Sequence, residues 1–136
     1  MVTLVDTGPL VSLLSRGTAA HDWMAGQWKR LEPPLLTCEA VLTEAAFLLQ
    51  REKVDSDPVF DLLDRGVVRV ALSIGSEHAS VRALMRRYRN VPMSLADACL
   101  VRLSELHLRS RVLTLDSDFR IYRRFGNRAI PLLTPV

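Results

Sequence analysis

Two acidic residues of this sequence each follow a short apolar run that has the character of a buried strand. Asp6 comes directly after the run Val2–Val5, and Asp116 comes directly after residues 111–115. Aliphatic and β-branched runs of this length are typical of strands covered on both faces. A second apolar run opens at Thr7-Gly8-Pro9, and proline is tolerated in the first turn of a helix. Taken alone, Asp6 is adequately explained as the N-cap of that helix.

Two further acids lie inside predicted helices and have apolar neighbours. Glu44 falls within a helix predicted over residues 38–51, where an acid among apolar residues is expected to need a partner or a metal. Glu39 falls in the first turn of the same helix, where it would complement the helix dipole. Asp97 follows Ser94 by three residues, which is the spacing of a capping box with aspartate in place of glutamate. That box explains Asp97 fully, although its apolar surroundings leave a functional role open.

The elements that would position these acids alternate along the chain. Strands are predicted over residues 2–5, 35–37, 67–72, 111–115 and 129–132, and helices over residues 10–14, 18–31, 38–51, 59–64, 77–89 and from 94 onward, with one more after 116. This order predicts an α/β fold, a three-layer α/β/α arrangement with a parallel five-stranded sheet of order 3-2-1-4-5. The first and fourth strands are then neighbours at the switch point. Asp6 and Asp116 would therefore meet at one edge, within reach of a shared cation.

Composition excludes several other kinds of chemistry. The three histidines are scattered, without zinc-ligand spacing, and the sequence has no nucleophile elbow, phosphate-binding loop or dinucleotide fingerprint. Cys38 and Cys99 are isolated in apolar surroundings and are expected to be buried free thiols of a reducing cytoplasm. No run approaches a membrane span, and the N-terminus does not resemble a signal peptide. We therefore expect one cytoplasmic domain over residues 1–136 whose chemistry rests on carboxylates.

Charge is distributed unevenly between the two halves of the chain. Residues 1–68 carry six cationic and ten acidic side chains, whereas residues 69–136 carry twelve and five. Sixteen of the eighteen cationic residues are arginine, which binds phosphate in a bidentate manner better than lysine does. A basic second half suggests a polyanionic partner, although an arginine-rich composition alone would also produce it.

Four segments, in this order, resemble the acidic motifs of the PIN-domain family. They are Asp6-Thr7-Gly8-Pro9-Leu10, Val41-Leu42-Thr43-Glu44, Ser94-Leu95-Ala96-Asp97-Ala98 and Leu113-Thr114-Leu115-Asp116-Ser117-Asp118-Phe119. Chain length also resembles the VapC-type toxins of that family, which are the ribonuclease halves of toxin–antitoxin pairs. The resemblance covers essentially the whole chain.

This resemblance implies a site and an activity. Asp6, Glu44, Asp97 and Asp116 match the family's acidic quartet, with Asp6, Asp97 and Asp116 as ligands of one or two Mg²⁺ or Mn²⁺ ions. Thr7, Thr114 and Asp118 would support the site. Asp118 competes with Asp116 for the fourth position, and Glu39 is a weaker rival to Glu44. The implied reaction is metal-dependent hydrolysis of a phosphodiester in single-stranded or loop RNA.

The resemblance also implies partners. It predicts a homodimer and a small antitoxin that inserts a cationic side chain among the four acids. The basic residues that we consider for contacts with RNA phosphates are Arg82, Arg86, Arg87, Arg89, Arg120 and Arg123.

Two other classes of protein remain as alternatives. A phosphotransfer or phosphatase domain with an aspartate nucleophile would need a second aspartate at position 8, which is Gly8, and a receiver would need a distal lysine, whereas only Lys29 and Lys53 are present. A non-catalytic PIN-like interaction module would keep the acids for stability alone.

Overall fold

A five-stranded parallel sheet forms the centre of the computed structural model, which describes residues 1–136. Its strands are β1 (Val2–Val5), β2 (Leu35–Thr37), β3 (Val68–Val70), β4 (Ser110–Leu113) and β7 (Leu132–Leu133), and two further short strands, β5 (Arg123–Arg124) and β6 (Arg128–Ala129), pair separately. The helices are α1 (Thr7–Leu14), α2 (His21–Trp28), α3 (Glu39–Arg51), α4 (Asp57–Asp64), α5 (Ile74–Arg87) and α6 (Leu95–Leu106). A short 3-10 helix spans Ser117–Arg120. The order β3-β2-β1-β4-β7 confirms the predicted parallel α/β fold, in which the fifth strand of the sheet is the seventh in the chain.

Strand β1 lies in the middle of the sheet because its residues can be buried on both faces. Leu4 and Val5 have no exposed surface, and Thr3 is also buried. Four consecutive residues of β1 pair with β4, from Val2 opposite Ser110 to Val5 opposite Leu113. This register brings the ends of β1 and β4 to the same level, so residues that follow the two strands emerge side by side.

Helices α1, α3 and α6 pack around that strand pair. Leu10 of α1, Leu49 of α3 and Leu100 of α6 are all fully buried in the core. Burial of each such side chain stabilises the fold by roughly 1.5–3 kcal/mol. The helices that follow the strands are thus fixed against the sheet at the edge where the strands end. Cys38 and Cys99 are buried free thiols, as predicted.

The predicted last strand is wrong in its position. Residues 129–132 were expected to form one strand, but Ala129 ends β6, Ile130 is buried in the core, and β7 begins only at Leu132. The β5–β6 hairpin takes up the chain before β7, and it turns at Phe125 and Gly126, which have φ of 52° and 81°. The apolar run therefore packs partly as core and partly as strand.

Other predicted boundaries differ by a few residues. Helix α2 is shorter than residues 18–31, since Thr18 and the segment after Trp28 form turns. Helix α5 begins three residues before Glu77 and ends before Arg89, and α4 begins two residues before Val59. The chain after Asp116 forms a single 3-10 turn rather than an α-helix. No helix is long and apolar enough to cross a membrane.

Candidate active site

Four carboxylates from four separate elements face one groove at the edge where β1 and β4 end. Asp6 follows β1, Glu44 belongs to α3, Asp97 to the first turn of α6, and Asp116 follows β4. The groove is open to solvent and has a volume of about 600 Å³. Its remaining lining residues are Thr7, Gly8, Leu48, Pro92, Ser94, Leu115, Ser117 and Asp118. The structure thus brings together all four acids predicted from the sequence.

Asp6 is the most deeply placed of these acids. Its Oδ1 accepts the backbone N–H of Thr7 at 2.8 Å, so Asp6 is indeed the N-cap of α1. Its Oδ2 accepts a second hydrogen bond, from the Thr114 hydroxyl at 2.7 Å. The cap and the groove are therefore compatible explanations, because one carboxylate oxygen serves the helix and the other is held by β4.

Burial raises the pKa of Asp6 from its ordinary 3.8 to about 6. The two hydrogen bonds from Thr114 and Thr7 oppose this shift, whereas the negative charges of Asp97 and Asp116 add to it. A carboxyl group that remains partly protonated near neutral pH, with other acids beside it, lies where a positive charge would be favourable.

Thr114 links Asp6 to the segment that carries Asp116. While its hydroxyl donates to Asp6, its oxygen accepts the backbone N–H of Asp116 at 2.9 Å. Thr114 is fully buried, so one rigid side chain sets the relative position of the two acids. The hydroxyl predicted as a supporting group therefore contacts both strand-end acids.

Asp97 has both a capping role and a place in the groove. The Ser94 hydroxyl accepts the Asp97 N–H at 3.0 Å, and Asp97 Oδ2 accepts the Ser94 N–H at 3.4 Å, which completes the predicted capping box. The same Oδ2 accepts a hydrogen bond from the Tyr122 hydroxyl at 2.9 Å. Partial burial raises the pKa of Asp97, and the hydrogen bonds to Tyr122 and Ser94 oppose that shift.

Tyr122 contacts the site but was not among the residues predicted from the sequence. Its ring is fully buried against Phe119 and Tyr88, with edge-to-face contacts at centroid distances of 5.2 and 5.1 Å. Burial and the Asp97 carboxylate raise the pKa of the Tyr122 hydroxyl, which therefore stays a proton donor. Nothing in the local sequence indicates that Tyr122 approaches a residue 25 positions earlier.

Glu44 lies on the groove wall, but it is not buried as its apolar neighbours in sequence suggested. The side chain is exposed, and its Oε2 accepts a hydrogen bond from the Thr7 hydroxyl at 3.0 Å. Val41 and Ala45 beside it are buried in the core, whereas Phe47 is exposed like Glu44 itself, and Leu48 lines the same groove. Glu39 lines a different cavity, with Cys38 and Cys99, and takes no part in the groove.

Asp116 and Asp118 both line the groove, and they are connected to each other. Asp116 Oδ1 accepts the backbone N–H of Asp118 at 2.9 Å, which makes Asp116 the N-cap of the 3-10 helix. Asp116 is also linked to Asp6 through Thr114, whereas Asp118 has no such connection. Asp116, unlike Asp118, is therefore joined to Asp6 by a single buried hydroxyl group.

The six candidate arginines divide into two groups. Arg82, Arg86 and Arg89 line a second groove next to the acidic one, and their side chains make no hydrogen bond or ion pair within the protein. The other three bind backbone carbonyls: Arg87 that of Gly126, Arg120 that of Val136, and Arg123 those of Arg120, Ile121 and Tyr122. Only the first group has guanidinium groups without any hydrogen-bond partner in the protein.

A family model for the PIN domain matches residues 3–124 of the chain. The protein belongs to the PIN-domain family. The matched region includes all four acids of the groove together with Thr114 and Tyr122.

Among solved structures, this PIN domain is similar to the crystal structure of Mycobacterium tuberculosis VapC20, described as a Sarcin-Ricin loop cleaving toxin. The two share 22% sequence identity, with a TM-score of 0.78 over 93% of this chain and 98% of the other. That similarity shows a common fold over nearly the whole chain. No curated protein matches the sequence.

The groove of this PIN domain fits a hard divalent cation by the chemistry of its donors. No three acidic, histidine or cysteine side chains lie close enough together to hold one ion among them. Mg²⁺, however, is commonly held by one or two carboxylates and keeps several waters. The negative charges of Asp97 and Asp116 act on Asp6 and disfavour its ionised form. A cation in the groove would relieve that repulsion.

Proposed function

We propose that this protein is a metal-dependent endoribonuclease and the toxin of a toxin–antitoxin pair, with residues 1–136 as a single nuclease domain. The observation that carries the proposal is the convergence of four carboxylates, from β1, α3, α6 and β4, on one open groove. Each acid alone has a structural explanation as a cap or a surface residue. Those explanations do not account for four acids that face the same space.

Two comparisons support this proposal. Membership of the PIN-domain family supports a nuclease, and the shared fold with a toxin that cleaves the Sarcin-Ricin loop supports RNA as the substrate class. The alternative of a phosphotransfer domain finds no support in the groove, since no lysine lines it and residue 8 is glycine.

In the proposed site, Asp6 and Asp97 hold Mg²⁺ or Mn²⁺, and Glu44 and Asp116 complete the site through metal-bound water. One or two bound ions would supply an activated water and stabilise charge on the phosphodiester. Thr114 fixes Asp6, and Tyr122 fixes Asp97, so that each carboxylate keeps an oxygen directed by a buried donor. Such buried donors around ligating carboxylates restrict their orientation and strengthen the site. Thr7 does the same for Glu44.

A protein with this activity has to be held silent in the cell. We propose that a small antitoxin does so by placing an arginine or lysine among the four acids. Its positive charge would offset the repulsion among the carboxylates, as the metal ion would. A homodimer and a location in the cytoplasm complete the proposal. Loss of cell growth on expression of the protein alone, relieved by the product of a neighbouring gene, would support this arrangement. Normal growth, with no co-purifying protein that blocks cleavage, would contradict it.

Cleavage of RNA by the purified protein, with chelator and with Mn²⁺ or Mg²⁺, separates the enzyme from the non-catalytic module. We expect cleavage that depends on the added ion. Binding of RNA without cleavage under every metal condition would favour the interaction module instead.

A further inference from the structure

A second groove lies next to the acidic one and has the opposite charge. It is formed by α5 and the segment that leads into α6, and it has a volume of about 650 Å³. Its lining residues are Ile74, His78, Val81, Arg82, Met85, Arg86, Arg89, Pro92, Met93 and Leu95, and none of them is acidic. We call it the α5 groove.

The α5 groove and the acidic groove are neighbours on the surface. Pro92 lines both of them, Ser94 lines the acidic groove, and Leu95 lines the α5 groove. Residues 92–95 thus form the boundary between the two. A chain that passes over this boundary would have one part among the four acids and the next part among the arginines.

The arginines of the α5 groove are available for a ligand. Arg82 and Arg86 are four residues apart and therefore lie on one face of α5, and Arg89 follows in the turn after the helix. All three are exposed and have no partner within the protein. Three free guanidinium groups in a row, with no acid between them, suit successive phosphates of a polyanion.

The floor of the α5 groove is apolar. Met85 is half-buried, Met93 and Val81 are buried, and Ile74 and Leu95 expose 42% and 46% of their surface. Base faces are exposed in an unpaired strand but are stacked away inside a duplex. His78 also lines this groove, so its ring and the apolar side chains beside it offer a surface to unpaired bases, while the arginines at the rim suit the phosphates.

We propose that the α5 groove binds the unpaired RNA segment next to the phosphodiester held in the acidic groove, with phosphates on Arg82, Arg86 and Arg89 and a base on the apolar floor. This proposal rests on the proposed nuclease function. A second copy of the chain is a less suitable occupant, because a twofold interface over this groove would bring three arginines from each copy together with no acidic residue of the groove to pair them. Arg87, Arg120 and Arg123 are left out of the track, since their guanidinium groups bind backbone carbonyls.

Binding is measured without cleavage, by fluorescence anisotropy of a labelled short single-stranded RNA with the Asp6→Asn protein in chelator. In that background, Arg82→Ala/Arg86→Ala/Arg89→Ala is compared with Arg16→Ala/Arg30→Ala/Arg109→Ala. The control removes the same charge from three exposed arginines that line neither groove. Circular dichroism of each variant checks that it is folded.

We expect the α5-groove variant to bind at least about tenfold more weakly than the control, with a smaller salt dependence. Each lost phosphate contact on a single strand removes roughly 0.7 from the slope of log K against log salt. The same RNA annealed to its complement should bind the unmodified groove several-fold more weakly than the single strand. Equal affinities of the two triple variants would overturn the proposal, and so would equal affinities for single strand and duplex. A dimer that becomes monomeric only in the α5-groove variant, with unchanged RNA affinity, would instead make the groove a contact between copies.

The two proposals fail in different ways. If the wild-type protein cleaves RNA and the α5-groove substitutions leave KM unchanged, the groove proposal is wrong and the nuclease stands. If no metal restores cleavage but the α5 groove still binds single strands, the nuclease is wrong and the groove remains only as a binding site for single-stranded RNA.

Discussion

Asp6 is held by donors on two sides and lies next to two other acids, so its protonation is linked to the stability of the fold. The Thr7 N–H and the Thr114 hydroxyl each occupy one of its oxygens, while burial and the charges of Asp97 and Asp116 raise its pKa to about 6. The folded state therefore binds this proton more tightly than the unfolded state does. The stabilisation from this proton is fully present below pH 3.8 and is lost as the pH rises through 6.

Asp6→Asn should therefore stabilise the metal-free protein at pH 7. The difference in pKa corresponds to an upper bound of about 3 kcal/mol, and asparagine is as good an N-cap as aspartate. Thermal melts in chelator at pH 7 should show Asp6→Asn higher by a few degrees, with the gap closing toward pH 4. Saturating Mn²⁺ should also close it, because the ion stabilises only the intact site. If the variant melts below wild type at pH 7 in chelator, the ionised Asp6 carboxylate does not destabilise the folded protein and this prediction is wrong.

The hydrogen bond from Tyr122 leads to a second prediction, because the hydroxyl of Tyr122 stabilises the charged form of Asp97. Without this donor the pKa of Asp97 should rise further, so Tyr122→Phe should move the acidic limb of the pH–rate profile for RNA cleavage to higher pH. The lost hydrogen bond should also lower the free energy of unfolding by about 1 kcal/mol. An unshifted profile in a folded variant would mean that Asp97 does not need to be ionised for the reaction.

At the scale of elements, the site depends on where helices and strands begin and end. Asp6 is the N-cap of α1, Asp116 the N-cap of the 3-10 helix, and Asp97 half of the capping box of α6. Each of these three carboxylates accepts a hydrogen bond from a backbone N–H group, and that bond fixes its position at the edge of the sheet. The same three residues therefore cap helices and line the acidic groove.

Substitution of the capping box tests this connection. Ser94→Ala should lower the free energy of unfolding by about 0.5–2 kcal/mol and reduce cleavage, because Asp97 loses one of the groups that hold it. Ser73→Ala is the matched control, since Ser73 is the N-cap of α5 but makes no side-chain hydrogen bond to that helix. Denaturant unfolding and cleavage rates of both variants make the comparison. Equal effects of the two substitutions would contradict the role of the box.

The sequence predicts these elements best where the local residue pattern alone determines where a strand or helix begins and ends. Val2–Val5 and Leu35–Thr37 form strands at the predicted residues, because short β-branched and aliphatic runs in this fold can only be buried. The capping box is likewise a local pattern. The last strand was misplaced because the β5–β6 hairpin, with Phe125 and Gly126 at positive φ, depends on contacts with α6 and the residues just after it. Arg124 donates to the Ser104 carbonyl within α6 and to the Leu108 carbonyl beyond its end.

The same distinction explains what was predicted of the site. Asp6 and Asp116 could be placed together because parallel strands end at one edge, which is a property of the fold. The contact between Tyr122 and Asp97, and the exposure of Glu44, depend on how α6, the 3-10 helix and α3 pack. The periodicity of apolar residues predicts helices and strands, but it does not predict contacts between side chains of distant elements.

Over the whole molecule, charge is sorted into two adjoining grooves. The acidic groove collects carboxylates from both halves of the chain, and the α5 groove collects arginines of the second half alone. A substrate with negative phosphates is attracted by one groove and, without a cation, repelled by the other. The nuclease proposal therefore predicts that the added ion strengthens RNA binding to the wild-type protein as well as supporting the reaction.

Cleavage of RNA in Mn²⁺ by wild type, Asp6→Asn and Glu39→Gln tests the acidic groove as the reacting centre most directly. Glu39→Gln is the matched control, because it removes an acid of α3 that lines a different cavity. We expect Asp6→Asn to reduce the rate by on the order of a hundredfold or more while circular dichroism is unchanged, and Glu39→Gln to cleave like wild type. Wild-type cleavage by folded Asp6→Asn, or an equal loss in Glu39→Gln, would contradict the assignment of the groove.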